Sequence, residues 1–242
     1  KAIQQGLLDP GEARVEIEID ADKRYVSVRD NGTGIAHGDF VRTMSSIADS
    51  TKDRAEDKGF RGIGRLGGIS SCKTLKFSCS VRGEETISIC AWDAQLVRDI
   101  LVDGQRNPSA GELVDMVTSY SQDVCDVDDH FFLVELIDVE NSSAELLDEK
   151  RVREYLQSVA PIPYATGFTF KSKISEFAQE HGFIIDEYQV FVNGDRLFKP
   201  YSRKLYEPHN HSKKAYDELS DVAFEIFKDS DGEVLAWMWY GI

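Results

Sequence analysis

The sequence holds 242 residues, enough for one large domain or two modest ones. With 41% hydrophobic and 29% charged residues it reads as a globular chain, and no apolar run approaches the ~18 residues that span a bilayer. A surplus of acid, 43 Asp and Glu against 28 Lys and Arg, leaves a formal charge of −15. Such a charge argues against nucleic acid and anionic membranes as partners, but not against a small pocket with its own local field.

Val15, Ile17 and Ile19 alternate with Glu16 and Glu18, the period of a half-buried strand. After a polar turn, Tyr25 to Asp30 reads as its partner strand. Phe40, Met44 and Ile47 fall at helical spacing behind Asp39, a candidate N-cap. Ser50 to Lys58 is polar and charged and reads as a surface loop. A glycine run follows and opens onto a predicted helix near Arg65. Strands are expected near 74–81, 86–92, 113–118 and 131–137, with a turn-like stretch from Asp103 to Gly111. Residues 144–159 predict one amphipathic helix through Leu147, Tyr155, Leu156 and Val159, ended by Pro161 and Pro163, and a short helix is expected near 173–181. Tyr188 to Val192 runs into Asn193-Gly194, a two-residue hairpin signal. Val222–Phe227 and Val234–Trp239 flank a turn at Asp229 to Gly232.

Two glycine motifs carry the chemistry. The first, Asp30-Asn31-Gly32-Thr33-Gly34, closes the second strand. Side chains alternate along a strand, so Asp30 shares a face with Val26 and Val28. A carboxylate on that apolar side requires a donor, and the exocyclic amine of adenine is a suitable one. Gly32 and Gly34 leave room for a flat ring and permit the turn. The plainer reading is an Asx turn at a strand end. The second motif, Gly59-Phe60-Arg61-Gly62-Ile63-Gly64, can turn free amides toward phosphates, with the predicted helix adding its positive end. Its plainer reading is a flexible loop. Gly62, Gly64 and Gly67 also fit Gly-x-Gly-x-x-Gly, but the dinucleotide fingerprint needs a strand immediately before it. Asp53 to Lys58 cannot be a buried strand.

The order strand, Asp-x-Gly-x-Gly, helix, polar lid, Gly-x-x-Gly-x-Gly, helix resembles the GHKL ATPases of the Bergerat fold. That family includes gyrase B subunits, the ninety-kilodalton heat-shock chaperones, histidine kinases and MutL repair proteins. Ser46-Ile47-Ala48-Asp49-Ser50-Thr51-Lys52 looks most like the chaperones, and Gly59-Phe60-Arg61-Gly62 is similar to MutL as well. Tyr155 to Tyr164, Val192-Asn193-Gly194 and Lys199-Pro200-Tyr201 resemble prokaryotic chaperone-like ATPases.

The resemblance implies an α/β (α+β) two-layer sandwich, a mixed sheet covered by helices on one face, over residues 1–165. A smaller β-rich segment over 166–242 would begin a transducer-like domain. It implies an ATP/ADP and Mg²⁺ site in which Asp30, with Asn31 and Gly32 in its turn, binds the adenine amine and Gly34 lines the base. Thr43 would lie near the ribose and phosphates, and Ser50, Thr51 and Lys52 would begin a lid. Gly59, Arg61, Gly62, Ile63 and Gly64 would surround the phosphates. The implied activity is metal-assisted ATP hydrolysis driving a chaperone-like cycle in a cytoplasmic homodimer with a client protein. A degenerate binding module without ATPase activity and a MutL-like repair ATPase are the alternatives.

Two departures accompany the match. The family's Glu-x-x-x-Asn helix, source of the catalytic Glu and of an Mg²⁺ ligand, is not found in residues 1–14. Either the sequence begins just after it, with Lys1 to Gln5 as its tail, or the protein lacks it. Where the family places Gly-Thr ahead of a late strand, this sequence has Phe131-Phe132. His209 and His211 read as an exposed loop rather than a metal pair. His37 reads as solvated, and Asp126 to Asp129 as a solvated turn. Trp237 and Trp239 read as core or interface. Cys72, Cys79, Cys90 and Cys125 lack metal-ligand spacing and read as reduced thiols, and no basic-then-apolar signal opens the sequence.

Overall fold

Alternation of apolar and charged residues builds the first hairpin. β1 (Arg14–Asp20) and β2 (Tyr25–Asp30) pair antiparallel, with Ile17 opposite Val28 and Ile19 opposite Val26. The computed structural model describes residues 2–9, 11–45, 64–103, 108–205 and 217–242. They divide into two compact units, 1–156 with 188–197, and 157–187 with 198–242.

In the first unit, α1 (His37–Ser45) follows β2, and β3 (Cys72–Ser80) and β4 (Thr86–Asp93) form a second hairpin. Next come α2 (Ala94–Val102), α3 (Ala110–Val117), β5 (Thr118–Val124), β6 (Phe131–Val139) and α4 (Glu149–Val159), the last belonging to this unit as far as Leu156. Farther along the chain, β7 (Gln189–Val192) and β8 (Asp195–Arg196) complete a sheet of order β5-β4-β3-β6-β2-β1-β7-β8. Every pairing is antiparallel except β7 with β1, so the sheet is mixed.

One face of this sheet carries Leu75, Phe77 and Cys79 of β3, Cys90 and Trp92 of β4, and Phe132, Val134 and Leu136 of β6. Phe40 and Met44 of α1, Val97 and Ile100 of α2, and Val114 and Val117 of α3 pack against that face. None of the four cysteines is joined in a disulfide, and burial pushes the thiols of Cys72 and Cys79 up to about 11.

Four expectations are corrected. The strand expected near 113–118 is helix as far as Val117, part of α3: Ser109 accepts from the Glu112 amide while the Glu112 carboxylate accepts from the Ser109 amide. That reciprocal cap outweighs the β-branched run, and the strand starts at Thr118. The first helix begins at His37, so Asp39 lies inside its first turn and pairs with Arg42 instead of capping it. The single helix expected over 144–159 is a 3₁₀ helix at Asn141–Leu147 followed by α4. The helix expected at Arg65 is a seven-residue 3₁₀ helix, Gly64–Ser70. Gly67 and Gly68 disfavour an α-helix there, and a Cβ on Gly68 would lie 2.8 Å from Leu75.

The Asn193-Gly194 turn forms as read, with φ of 47° and 85°, both in the left-handed region. Asn193 also accepts from the Ile19 amide at 2.8 Å and donates to Glu149, fastening the hairpin beside β1.

In the second unit, α5 (Lys171–Glu180) precedes two ribbons, β9 (Lys204–Leu205) with β10 (Asp217–Glu218), and β11 (Val222–Lys228) with β12 (Val234–Gly241). Phe168, Ile174 and Val222 form its core, with Tyr164, Phe170, Phe224, Trp237 and Trp239 packed around them. Trp237 and Trp239 are thus half-buried against this core, and the Trp239 indole N–H donates to the Tyr164 hydroxyl at 2.9 Å. No helix among the described residues is long and apolar enough to cross a membrane.

Candidate functional site

Asp30 ends β2 opposite Val15 on one side and Phe132 on the other. Phe132 is opposite Cys79, and Cys79 is opposite Ser88. Laterally paired residues share a face, so Asp30, Phe132, Cys79 and Ser88 form a row on the helix-covered side. Residues 31–36 cross this row on the way from β2 to α1. Gly34, at φ +64°, presses so closely that an added Cβ would lie 2.1 Å from the Ser80 carbonyl oxygen. The Cys79 thiol donates to the Ile35 carbonyl at 3.4 Å. At the end of the crossing His37 meets Ser88 Oγ through Nδ1 at 2.8 Å, and its amide donates to Glu84 at 3.0 Å.

The Asp30 carboxyl is half-buried, and Oδ1 accepts from the Gly32 amide at 2.8 Å. Burial pushes its pKa above the ordinary carboxylate range; the Gly32 N–H and the Arg29 guanidinium pull the other way. Arg29 itself points to the opposite face, its guanidinium 3.9 Å above the Phe131 ring. Phe131 and Phe132 are therefore divided between the two faces, and it is Phe132 that stands beside Asp30.

Asn31 turns its side chain to the start of β1 and the residues just before it. It accepts from the Arg14 amide at 2.8 Å and donates to the Glu12 carbonyl at 2.9 Å. Thr43 lies half-buried on α1 next to buried Met44. Gly64 opens the 3₁₀ helix. Ser50, Thr51, Lys52, Gly59, Arg61, Gly62 and Ile63, with the expected lid, lie outside the described residues, as do His209 and His211. The Asp126 to Asp129 run is a turn that satisfies itself, Asp126 Oδ1 accepting from the Asp128 amide at 3.0 Å. Among the described residues no three His, Cys, Asp or Glu side chains gather into a metal-ligating group.

His130, Glu84 and Ser88 were not singled out in the sequence. His130 Nδ1 lies 2.9 Å from the Gly32 carbonyl, and its Nε2 is 3.3 Å from Arg82. These residues stand 47 to 98 positions from their partners, so no local pattern marks them.

Residues 8–122 match the family of histidine kinase-, DNA gyrase B- and HSP90-like ATPases. That stretch runs from the approach to β1 into β5 and takes in the whole Asp30 crossing. The DNA mismatch repair protein MutL of Aeromonas salmonicida is 34% identical over 102 residues, 39% of this chain and 16% of that protein. MutL of Pseudoalteromonas translucida is 32% identical over 101 residues, with the same shares. The chaperone protein HtpG of Rhodococcus jostii is 44% identical over 43 residues, 18% of this chain and 7% of that protein. The alignments thus span 16% or less of each relative's own length. The mixed α/β fold agrees with the GHKL ATPase domain, and the matches support ATP binding of that family's kind.

Proposed function

We propose that the Asp30–Gly34 crossing binds the adenine of ATP and ADP, and that the chain is the nucleotide-binding part of a conformational ATPase. The observation that carries this is the Asp30 carboxylate: Oδ1 is latched by Gly32 while Oδ2 has no hydrogen-bond partner among the described residues. A half-buried carboxylate in that state favours a ligand donor, and an exocyclic amine supplies one. The glycine at 32 leaves the approach to it open. Gly59, Gly62, Ile63 and Gly64 would offer backbone amides to the phosphates, with Ser50 to Lys58 as the lid. Mg²⁺ accompanies ATP in this reading; the described residues gather no group of three His, Cys, Asp or Glu side chains, and no hydrolytic step is assigned to them.

Titration calorimetry of Mg·ADP into the protein, with Asp30→Asn as control, tests the reading. A charge-assisted hydrogen bond is worth about 1.5–3 kcal/mol, so the variant should bind about ten- to hundredfold more weakly. An unchanged constant would remove Asp30 from the base site.

A repair role of the MutL kind is favoured by the length of those alignments, and a chaperone role by the higher identity of the short HtpG alignment. Our reading keeps the chaperone-like cycle first, because the −15 charge opposes duplex DNA. Nucleotide-dependent retention on DNA at low salt would reverse that order.

A further inference from the structure

Gly32 is held at both ends. Its amide donates to Asp30 Oδ1 at 2.8 Å, and its carbonyl lies 2.9 Å from Nδ1 of His130, 98 positions away in the loop between β5 and β6. A carbonyl only accepts, so Nδ1 carries the proton and Nε2 is the acceptor for Arg82, 3.3 Å away. Both ring nitrogens are thereby assigned. Glycine has the widest backbone freedom of any residue, so nothing in Gly32 itself keeps its amide aimed at Asp30.

We propose that His130 is a positioning residue for the base site: by holding the Gly32 carbonyl it keeps the Gly32 amide on Asp30 Oδ1 and leaves Oδ2 for the ligand amine. This rests on the reading of Asp30 as the base-binding carboxylate. The loop that follows Asp30 is otherwise tied down beyond Gly32, by Gly34 against Ser80, Ile35 to Cys79 and His37 to Ser88 and Glu84. Asn31 fastens the residue before Gly32 to Arg14 and Glu12. Among the described residues His130 is the side chain that reaches the Gly32–Thr33 peptide, between these two sets of ties.

The alternative is that the Arg82 contact matters and that His130 merely joins two turns. Side-chain geometry separates the two. The Asn amide nitrogen is bonded to Cγ, as Nδ1 is in histidine, so His130→Asn keeps a donor for Gly32 and loses the Arg82 contact. Gln places its amide oxygen where Nε2 lies, so His130→Gln keeps the Arg82 contact and loses the donor. His130→Leu loses both.

Two measurements on the whole chain read the result: Gly32 amide exchange by NMR in the nucleotide-free protein, and ADP affinity by calorimetry. His130→Asn should stay within about twofold of wild type in both. His130→Gln and His130→Leu should bind ADP about five- to tenfold more weakly and exchange the Gly32 amide faster by a similar factor. Retention by Gln with loss in Asn would overturn the proposal in favour of the Arg82 tie. Equal exchange in all four proteins with ADP bound equally well would remove the latch and leave the nucleotide reading standing. Exchange that follows the Asn/Gln pattern, with no ADP bound even by wild type, would keep the latch and remove the nucleotide reading.

Discussion

The Asp30 carboxylate folds back over Gly32: Oδ1 takes the Gly32 amide at 2.8 Å, and a Cβ on residue 32 would sit 2.6 Å from that same oxygen. A side chain at 32 and the latched carboxylate cannot share the space. The obstructing atom is the free end of a short side chain, so it can swing away without moving the sheet.

Gly32→Ala should therefore weaken ADP binding about five- to tenfold while changing stability by less than about 1 kcal/mol. Calorimetric titration and urea unfolding on one preparation check the pair of outcomes. An equal affinity with lowered stability would assign Gly32 to packing rather than to the site.

Gly34 is held differently, because the neighbour is backbone. Its φ of +64° disfavours any L side chain, and an alanine Cβ would meet the Ser80 carbonyl oxygen at 2.1 Å. Neither can yield without opening the end of β3. Gly34→Ala should cost about 3 kcal/mol, a fall in Tm of about 6–12 °C for a chain of this size. Gly38→Ala is the control: Gly38 lies in the first turn of α1 with nothing within 4 Å of its added Cβ. It should raise stability by up to about 1 kcal/mol through helix propensity. A Gly34→Ala protein as stable as wild type would mean that the crossing sits farther from β3.

The parts of the fold legible in the sequence were those fixed within a few residues. β1 and β2 followed from alternation, the β7–β8 turn from Asn193-Gly194, and the Asp30 turn from its own glycines. What escaped was set at a distance. The parallel pairing of β7 with β1 joins segments some 170 residues apart, and the crossing is reached by Ser88 from β4, by Glu84 from the β3–β4 turn and by His130 from the loop before β6. The strand expected near 113–118 fails for a local reason. Leu113, Val114, Met116 and Val117 suggested a strand, yet Ser109 and Glu112 stood at capping-box spacing all along.

Ser109→Ala should accordingly destabilise the first unit by about 1 kcal/mol, the usual worth of an N-cap. The Ser109 amide and hydroxyl hold the Glu112 carboxyl below its ordinary range, so the cap strengthens above that range and is lost as pH falls through it. The gap between wild type and variant, measured by urea unfolding, should thus narrow in acid. A constant gap would show that the bond from the Ser109 hydroxyl to the Glu112 carboxylate contributes nothing, since the Ser109 amide still reaches Glu112 in both proteins.

Asp30 has the opposite sign. Burial raises its pKa, so between the ordinary carboxylate value and the raised one the folded protein binds a proton that the unfolded chain has lost. Stability falls as pH rises through that window, and above it the charged group burdens the fold throughout. Asp30→Asn removes the charge while its amide oxygen can still accept the Gly32 N–H. The variant should melt above wild type at about pH 7, with the difference shrinking as acid protonates Asp30. ADP affinity should run the other way, highest where Asp30 is ionised and lost through the same window, because the amine needs the carboxylate as acceptor. A variant both more stable and weaker in ADP, with the two pH dependences sharing one midpoint, would identify Asp30 as a residue kept for binding at the expense of stability. A variant less stable than wild type at neutral pH would instead make the Asp30 carboxylate a structural acceptor, and the base site would have to be sought elsewhere.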